Sequence, residues 1–387
     1  MDFTLSEEQV LLQDSVSRLF SRSYGFEQRL ENIQMPEGWS RAAWAQFAEL
    51  GLLALPFDEE FGGLGYGPVE MMLVMESMGR SLVVEPYLST VVLAGGAIQL
   101  TGNADQKAYW LNRIASGDAV MGFANAERYS RYSLHDVATT ALQDGDDYLI
   151  EGEKVLVAHC DSADAFVVVA RVSGARHARE GLGLFLVDAK APGVSLKSYR
   201  THDGVRAGDL LLEQVRVGAD AVLAVGDDTI LTLERLQDAA IAATAAEAVG
   251  AMQASLDMTV EYLQTRKQFG VAIGSFQALQ HRAAEMLIDL EQARSMAMFA
   301  ALMIADKDPV ERTRALSAVK VQINKSGRLV TQQAIQLHGG IGVTEEYAIG
   351  HYFRRLSILE SQFGDTDYHL ARFSNTGGFI DGQIGNL

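Results

Sequence analysis

Two short stretches hold the residues best suited to grip a ligand. In TRKQFGVAIGSFQ (265–277), Arg266 and Lys267 are cationic donors of the kind that hold a pyrophosphate. Gln268 and Gln277 are neutral amides able to bond a base or a ribose. In QLHGGIGV (336–343), Gly339, Gly340 and Gly342 carry no side chain, so backbone amides can approach an anion closely. The same residues also suit structural duties, RKQFG as a helix terminus and HGGIG as a C-cap turn. The glycines follow a helical pattern, which excludes a phosphate loop at the head of a βα unit.

Other reactive groups are sparse. Cys160 is the only cysteine, so neither an internal disulfide nor a cysteine-based zinc site is possible, and a reducing cytoplasm is expected. His159, His281, His338, His351 and His369 lack metal-ligand spacing, and no Ser-His-Asp order stands out. His281 and His338 are expected at helix packing or at the edge of a ligand. Glu247 sits among Ala246, Ala248 and Val249, so its carboxylate is desolvated unless paired. One such pairing would be with a basic side chain across a subunit boundary.

The elements that must position these residues follow from pattern. The chain of 387 residues suggests two to three domains at about 150 residues each. At 48% hydrophobic and 21% charged it should bury a sizeable core, and six prolines favour long helices. A net charge of −18 argues against a nucleic-acid partner and an anionic membrane surface. No apolar run reaches about 18 residues, so no membrane insertion is expected, and the first residues lack a signal-peptide core. Residues 1–116 read as helical, opening on a capping box, Ser6-Glu-Glu-Gln9. Residues 117–226 hold short β-branched and aromatic runs broken by turn signals, an antiparallel barrel or sandwich. Residues 227–387 return to helix: a stripe from Ile241 to Leu263, then runs at 276–306 and 309–337, and a tail from Asn375.

Three motifs in that order resemble the acyl-CoA dehydrogenase family: LPFDEEFGGLG (55–65), TRKQFGVAIGSFQALQHRAAEM (265–286) and QQAIQLHGGIGVTEEYAIGHYFRRL (332–356). The resemblance implies an α+β fold, with an N-terminal helical domain, a middle antiparallel β domain and a C-terminal four-helix bundle. It implies FAD as cofactor, an acyl-CoA substrate, electron-transfer flavoprotein as acceptor, and a homo- or hetero-oligomer, typically a tetramer. Carried over position by position, Arg266, Gln268, Phe269, Gln277, Gln336, Gly339, Gly340, Gly342 and Thr366 would bind the cofactor, clamping the ADP half of the FAD seated in a neighbouring subunit.

Elsewhere the chain departs from the family. Its flavin-contacting Thr, Ser, Trp and second Thr fall on Ala126, His135, Leu156 and Ala158, and the loop at 123–136 is three residues longer. The catalytic glutamate falls on Gly364, or in a family subset on Ala240 beside Ile241. Glu247, about 10 Å from Ala240 on the same helix face, is the substitute catalytic candidate, and Asp365 a second. The pattern resembles the small subunit of pimeloyl-CoA-type and steroid side-chain heteromeric dehydrogenases. The expected activity is FAD-dependent α,β-dehydrogenation of an acyl-CoA thioester by a subunit lacking the standard glutamate. The alternatives are a complete homotetramer with Glu247 as base and a non-catalytic protein of this fold.

Overall fold

The computed structural model describes residues 4–377; residues 378–387 of the expected tail lie outside the described residues. Six helices come first: α1 (Glu7–Ser23), α2 (Phe26–Asn32), α3 (Arg41–Glu49), α4 (Pro68–Ser81), α5 (Gly96–Thr101) and α6 (Ala104–Ala115). Eight strands follow: β1 (Met121–Ala124), β2 (Thr140–Asp144), β3 (Asp147–Ala158), β4 (Ala165–Arg171), β5 (Leu182–Asp188), β6 (Val194–Arg200), β7 (Arg206–Val217) and β8 (Val222–Gly226). The chain then forms α7 (Thr229–Thr265), a small hairpin of β9 (Lys267–Gln268) and β10 (Val271–Ala272), α8 (Gln277–Met303), α9 (Pro309–His338), α10 (Ala348–Ser361) and α11 (Thr366–Asn375).

Two compact units emerge. One comprises residues 1–30, 68–83 and 241–387, the other residues 31–67 and 84–240. The N-terminal helical stretch is thus divided between them, and two glycines show why α4 belongs with the later helices. A Cβ on Gly79 would lie 1.9 Å from the Glu247 carbonyl oxygen, and one on Gly250 would lie 1.8 Å from that of Glu76. Only glycine at both points lets α4 and α7 cross backbone to backbone.

Local signals in the helical unit match the sequence. Ser6 and Gln9 form the reciprocal capping box at α1, with bonds of 3.2 and 2.9 Å. Asp308 caps α9 through the Val310 amide at 2.8 Å, with Pro309 in the first helical position. Ile241, Ala245, Val249, Met252, Leu256 and Leu263 of α7 are buried with Met286 and Leu290 of α8 and Leu316, Val319 and Ile323 of α9. α7 is long and apolar enough by composition to cross a membrane, but 89% of its most apolar window is buried inside the protein. Its apolar side chains therefore serve the core.

The β unit is one sheet in the order β6-β7-β3-β2-β4-β5-β8, with β1 beside β4. Most pairs are antiparallel, as expected, but β1 runs parallel to β4, as does β2 at its single contact, Thr140 with Arg171. The 125–139 connection carries the chain from β1 to β2 without reversing it, so this part of the sheet is mixed. Every residue of β4 is buried, so its run AFVVVA is continuous rather than alternating.

Candidate cofactor-binding site

In the helical unit, an aromatic stack brings the ends of α7 and α9 together. Tyr262, one turn before Arg266, lies on the His338 ring with centroids 4.5 Å apart and planes 27° apart. His338 Nδ1 faces the Ala334 carbonyl at 2.8 Å, so it carries the proton, and Nε2 accepts from the Tyr347 hydroxyl at 3.2 Å. Burial pushes the His338 pKa down, against the opposing pull of the Ala334 carbonyl. Arg266 and Gly339 therefore project from one corner.

That corner is open and basic. Arg266 and Lys267 are exposed and have no ion-pair partner among the described residues. Gly339 ends α9 at φ +63°, and nothing lies within 4 Å of a Cβ built on Gly339 or Gly340. Gly342 differs: its Cβ would meet the Ile335 carbonyl at 3.0 Å and His338 Cβ at 3.1 Å, so this glycine is closely packed. The β9–β10 hairpin turns on Phe269 (φ +54°) and Gly270 (φ +81°), the paired positive φ of a type I′ turn. Phe269 is 92% exposed in this strained conformation, with its ring edge-on to Phe276. Gln268 Nε2 is engaged by the Lys267 carbonyl at 2.7 Å, while Gln277 and Gln336 are exposed without side-chain hydrogen bonds among the described residues. Thr366 begins α11, and no hydrogen bond among the described residues joins it to this corner. Unpaired cations, free amides and two glycines open on their Cβ side fit the phosphate and ribose portions of a dinucleotide.

In the β unit, Ala126 and Leu156 come together. The Val155 amide donates to the Ala126 carbonyl at 2.9 Å. Leu156 sits at φ +56° on a β3 bulge, where residues 155 and 156 face the single residue Asp209, and it is 64% exposed. Ala158 is a ladder residue opposite Ala207. The surface therefore offers two methyl groups and an isobutyl group where a hydroxyl–indole–hydroxyl set is expected. His135 is half-buried, and burial, then Arg179 and Arg171, hold its imidazole below the usual range.

The loop carrying these positions is braced by charges that sequence reasoning missed. Glu127 accepts from the Ala138 and Thr139 amides at 2.7 and 2.9 Å and from buried Lys154 at 2.7 Å. Burial alone would raise the Glu127 pKa, but Lys154 and the two amides together lower it. Arg171 donates to five backbone carbonyls, those of His135, Val137, Ser173, Ala178 and Glu180, at 2.8–3.3 Å. The available signal was a lone arginine closing the otherwise apolar run of β4.

The carboxylates proposed for proton abstraction are otherwise engaged. Glu247 is buried, and its Oε1 takes the Arg355 Nε hydrogen bond at 2.5 Å, the arginine side chain itself being 13% exposed. The expected pairing is thus real but lies within one chain, with α10 supplying the cation. Asp365 caps α11, accepting from the Tyr368 amide at 2.9 Å. Gly364 has φ +115°, and its Cβ would fall 2.5 Å from both His369 Nε2 and Tyr368 Cδ1. Ala240 is fully buried.

Comparison with known proteins gives the family. The acyl-CoA dehydrogenase N-terminal, middle and C-terminal domain families match residues 6–118, 122–215 and 231–375. The chain is 33% identical to acyl-CoA dehydrogenase FadE12 of Mycobacterium tuberculosis, over 90% of each protein. A chain of the ChsE4–ChsE5 complex from Mycobacterium tuberculosis superposes with a TM-score of 0.87 at 28% identity, covering 97% of this chain and 98% of that one. Butyryl-CoA dehydrogenase from Megasphaera elsdenii shares the fold at 22% identity, with a TM-score of 0.89 over 97% and 99% of the two chains. With three successive domains matched and a full-length relative at this identity, the chain belongs to the acyl-CoA dehydrogenase family, oxidoreductases whose cofactor is FAD.

Proposed function

We propose that this chain is a subunit of a heteromeric acyl-CoA dehydrogenase, holding the ADP half of a neighbouring subunit's FAD without supplying the α-proton base. One contrast carries the reading. The Arg266–Gly339 corner is open and unpaired, whereas Gly364 has no room for a side chain and Glu247 is already bound by Arg355. FAD, when bound, accepts the hydride lost from the β-carbon of a CoA thioester. Arg266 and Lys267 would hold the pyrophosphate, the Gly339 and Gly340 amides would line its approach, and Gln268, Gln277, Gln336 and Thr366 would take the polar edges of adenosine. A carboxylate from the partner subunit would take the α-proton.

Two further observations support assembly. Phe269, Leu287, Ile288 and Val343 of the helical unit are large apolar side chains left exposed, a surface that a second chain of the family would cover. The structural relative from Mycobacterium tuberculosis is itself described as a complex of two differently named chains. Electron-transfer flavoprotein is the expected acceptor, the oligomer a tetramer and the setting cytoplasmic.

Arg266→Ala tests the clamp. A charge-assisted hydrogen bond is worth about 1.5–3 kcal/mol, so FAD should dissociate roughly ten- to a hundred-fold more readily from the assembled enzyme. Retention equal to the unmodified protein would remove Arg266 from the cofactor site.

A further inference from the structure

α10 ends against a buried lysine. Lys320, on the inner side of α9, is 2% exposed, and its Nζ donates to the Leu359 carbonyl at 2.5 Å, Asn324 Oδ1 at 3.1 Å and the Glu360 carbonyl at 3.4 Å. Three N–H groups meet three acceptors, and no carboxylate is bonded to Nζ among the described residues. Asn324 Nδ2 adds a bond to the Glu360 carbonyl at 3.3 Å. The last carbonyls of a helix lack intrahelical partners and carry its negative dipole end, so a buried ammonium there satisfies both.

A tight turn follows this cap. Phe363 (φ +58°) and Gly364 (φ +115°) form a turn of two positive-φ residues, after which Asp365 caps α11 and Thr366 begins it. His369 Nε2 faces the Phe363 carbonyl at 2.9 Å, and its Nδ1 faces Ser317 Oγ at 3.3 Å. Gln362 Oε1 is buried with no partner among the described residues. The turn is therefore held from outside, by Lys320 on one side and His369 on the other.

We propose that Lys320 is a positioning residue whose ammonium caps α10 and thereby fixes the Gln362–Asp365 turn that presents Thr366 to the cofactor. The proposal rests on the preceding reading only for the role of Thr366; the cap itself does not.

The cap responds to pH. Burial lowers the Lys320 pKa to about 7, against the opposing pull of Glu360 and Asp365. Glu360 is also ion-paired with Arg328. His369, held near 4 chiefly by burial and further by Lys320 and Arg372, stays neutral throughout the working range. As pH rises through about 7, Lys320 keeps two N–H groups for three acceptors and loses its attraction to the helix dipole.

Hydrogen–deuterium exchange of the full chain without added flavin, at pH 6 and pH 9 and corrected for intrinsic rates, tests this. Protection of amides 362–369 should fall at least ten-fold between the two values in the unmodified protein. Lys320→Met should show the lower protection at both. Lys320→Arg, whose guanidinium does not titrate, should remove the pH dependence. Equal protection at both pH values in the unmodified protein, or an unchanged pH dependence in Lys320→Met, would overturn the proposal. If neither variant folds, the unmodified pH series decides. Because no flavin is present, the outcome is independent of whether Arg266→Ala releases FAD.

Discussion

Gly364→Glu, which places a carboxylate where most of the family carries its base, should destabilise the protein and leave the chain inactive on its own. The backbone there has φ +115°, where any side chain is strained by about 1–3 kcal/mol. The new Cβ would also lie 2.5 Å from His369 Nε2 and Tyr368 Cδ1. Both atoms belong to α11, and His369 is fully buried and held at both ring nitrogens. Overpacking at such a point costs about another 1–3 kcal/mol. The expected loss is roughly 2–6 kcal/mol, read from urea midpoints, and Gly364→Ala should show most of it because the strain begins at Cβ. A variant as stable as the parent would show that the turn can admit a base.

Glu247→Ala should be about as damaging for a different reason. It removes the carboxylate that accepts from the Arg355 guanidinium, a side chain only 13% exposed. Removing one partner of a buried pair costs up to about 3–5 kcal/mol. Glu247→Gln keeps the shape and one acceptor oxygen, so it should fold while losing part of that stability. If Glu247 serves Arg355 rather than the substrate, Glu247→Gln should lower the activity of the assembled enzyme less than ten-fold. A loss of several orders of magnitude with flavin content and assembly preserved would make Glu247 the base.

How much was legible in sequence depended on the range of the interaction. The capping box at Ser6 and the helix start at Pro309 are local, and both appear as expected. The α7 stripe was also legible because apolar spacing reports one helix face. The pairing of Glu247 with Arg355 was not, since the two residues are 108 apart and only the packing of α10 brings them together. Nor did the motif distinguish its glycines: Gly339 and Gly340 face open space while Gly342 is packed against α9. The division of the N-terminal helices between two units was hidden as well, because it depends on Gly79 and Gly250 meeting opposing carbonyls. Positive φ at Leu156, Phe269 and Phe363 left no trace in residue type, as none is a glycine or an asparagine.

On the proposed function, this chain holds cofactor without supplying the α-proton base. It is tested most directly by following exchange of the α-hydrogens of a saturated acyl-CoA with deuterated solvent, using the purified chain alone and then the chain with its partner subunit. Proton removal precedes any need for an electron acceptor, so the measurement isolates the base from the rest of the reaction. Exchange at the uncatalysed rate is expected for the chain alone, and rapid exchange once the partner is present. Rapid exchange by the chain alone, abolished by Glu247→Gln, would contradict it.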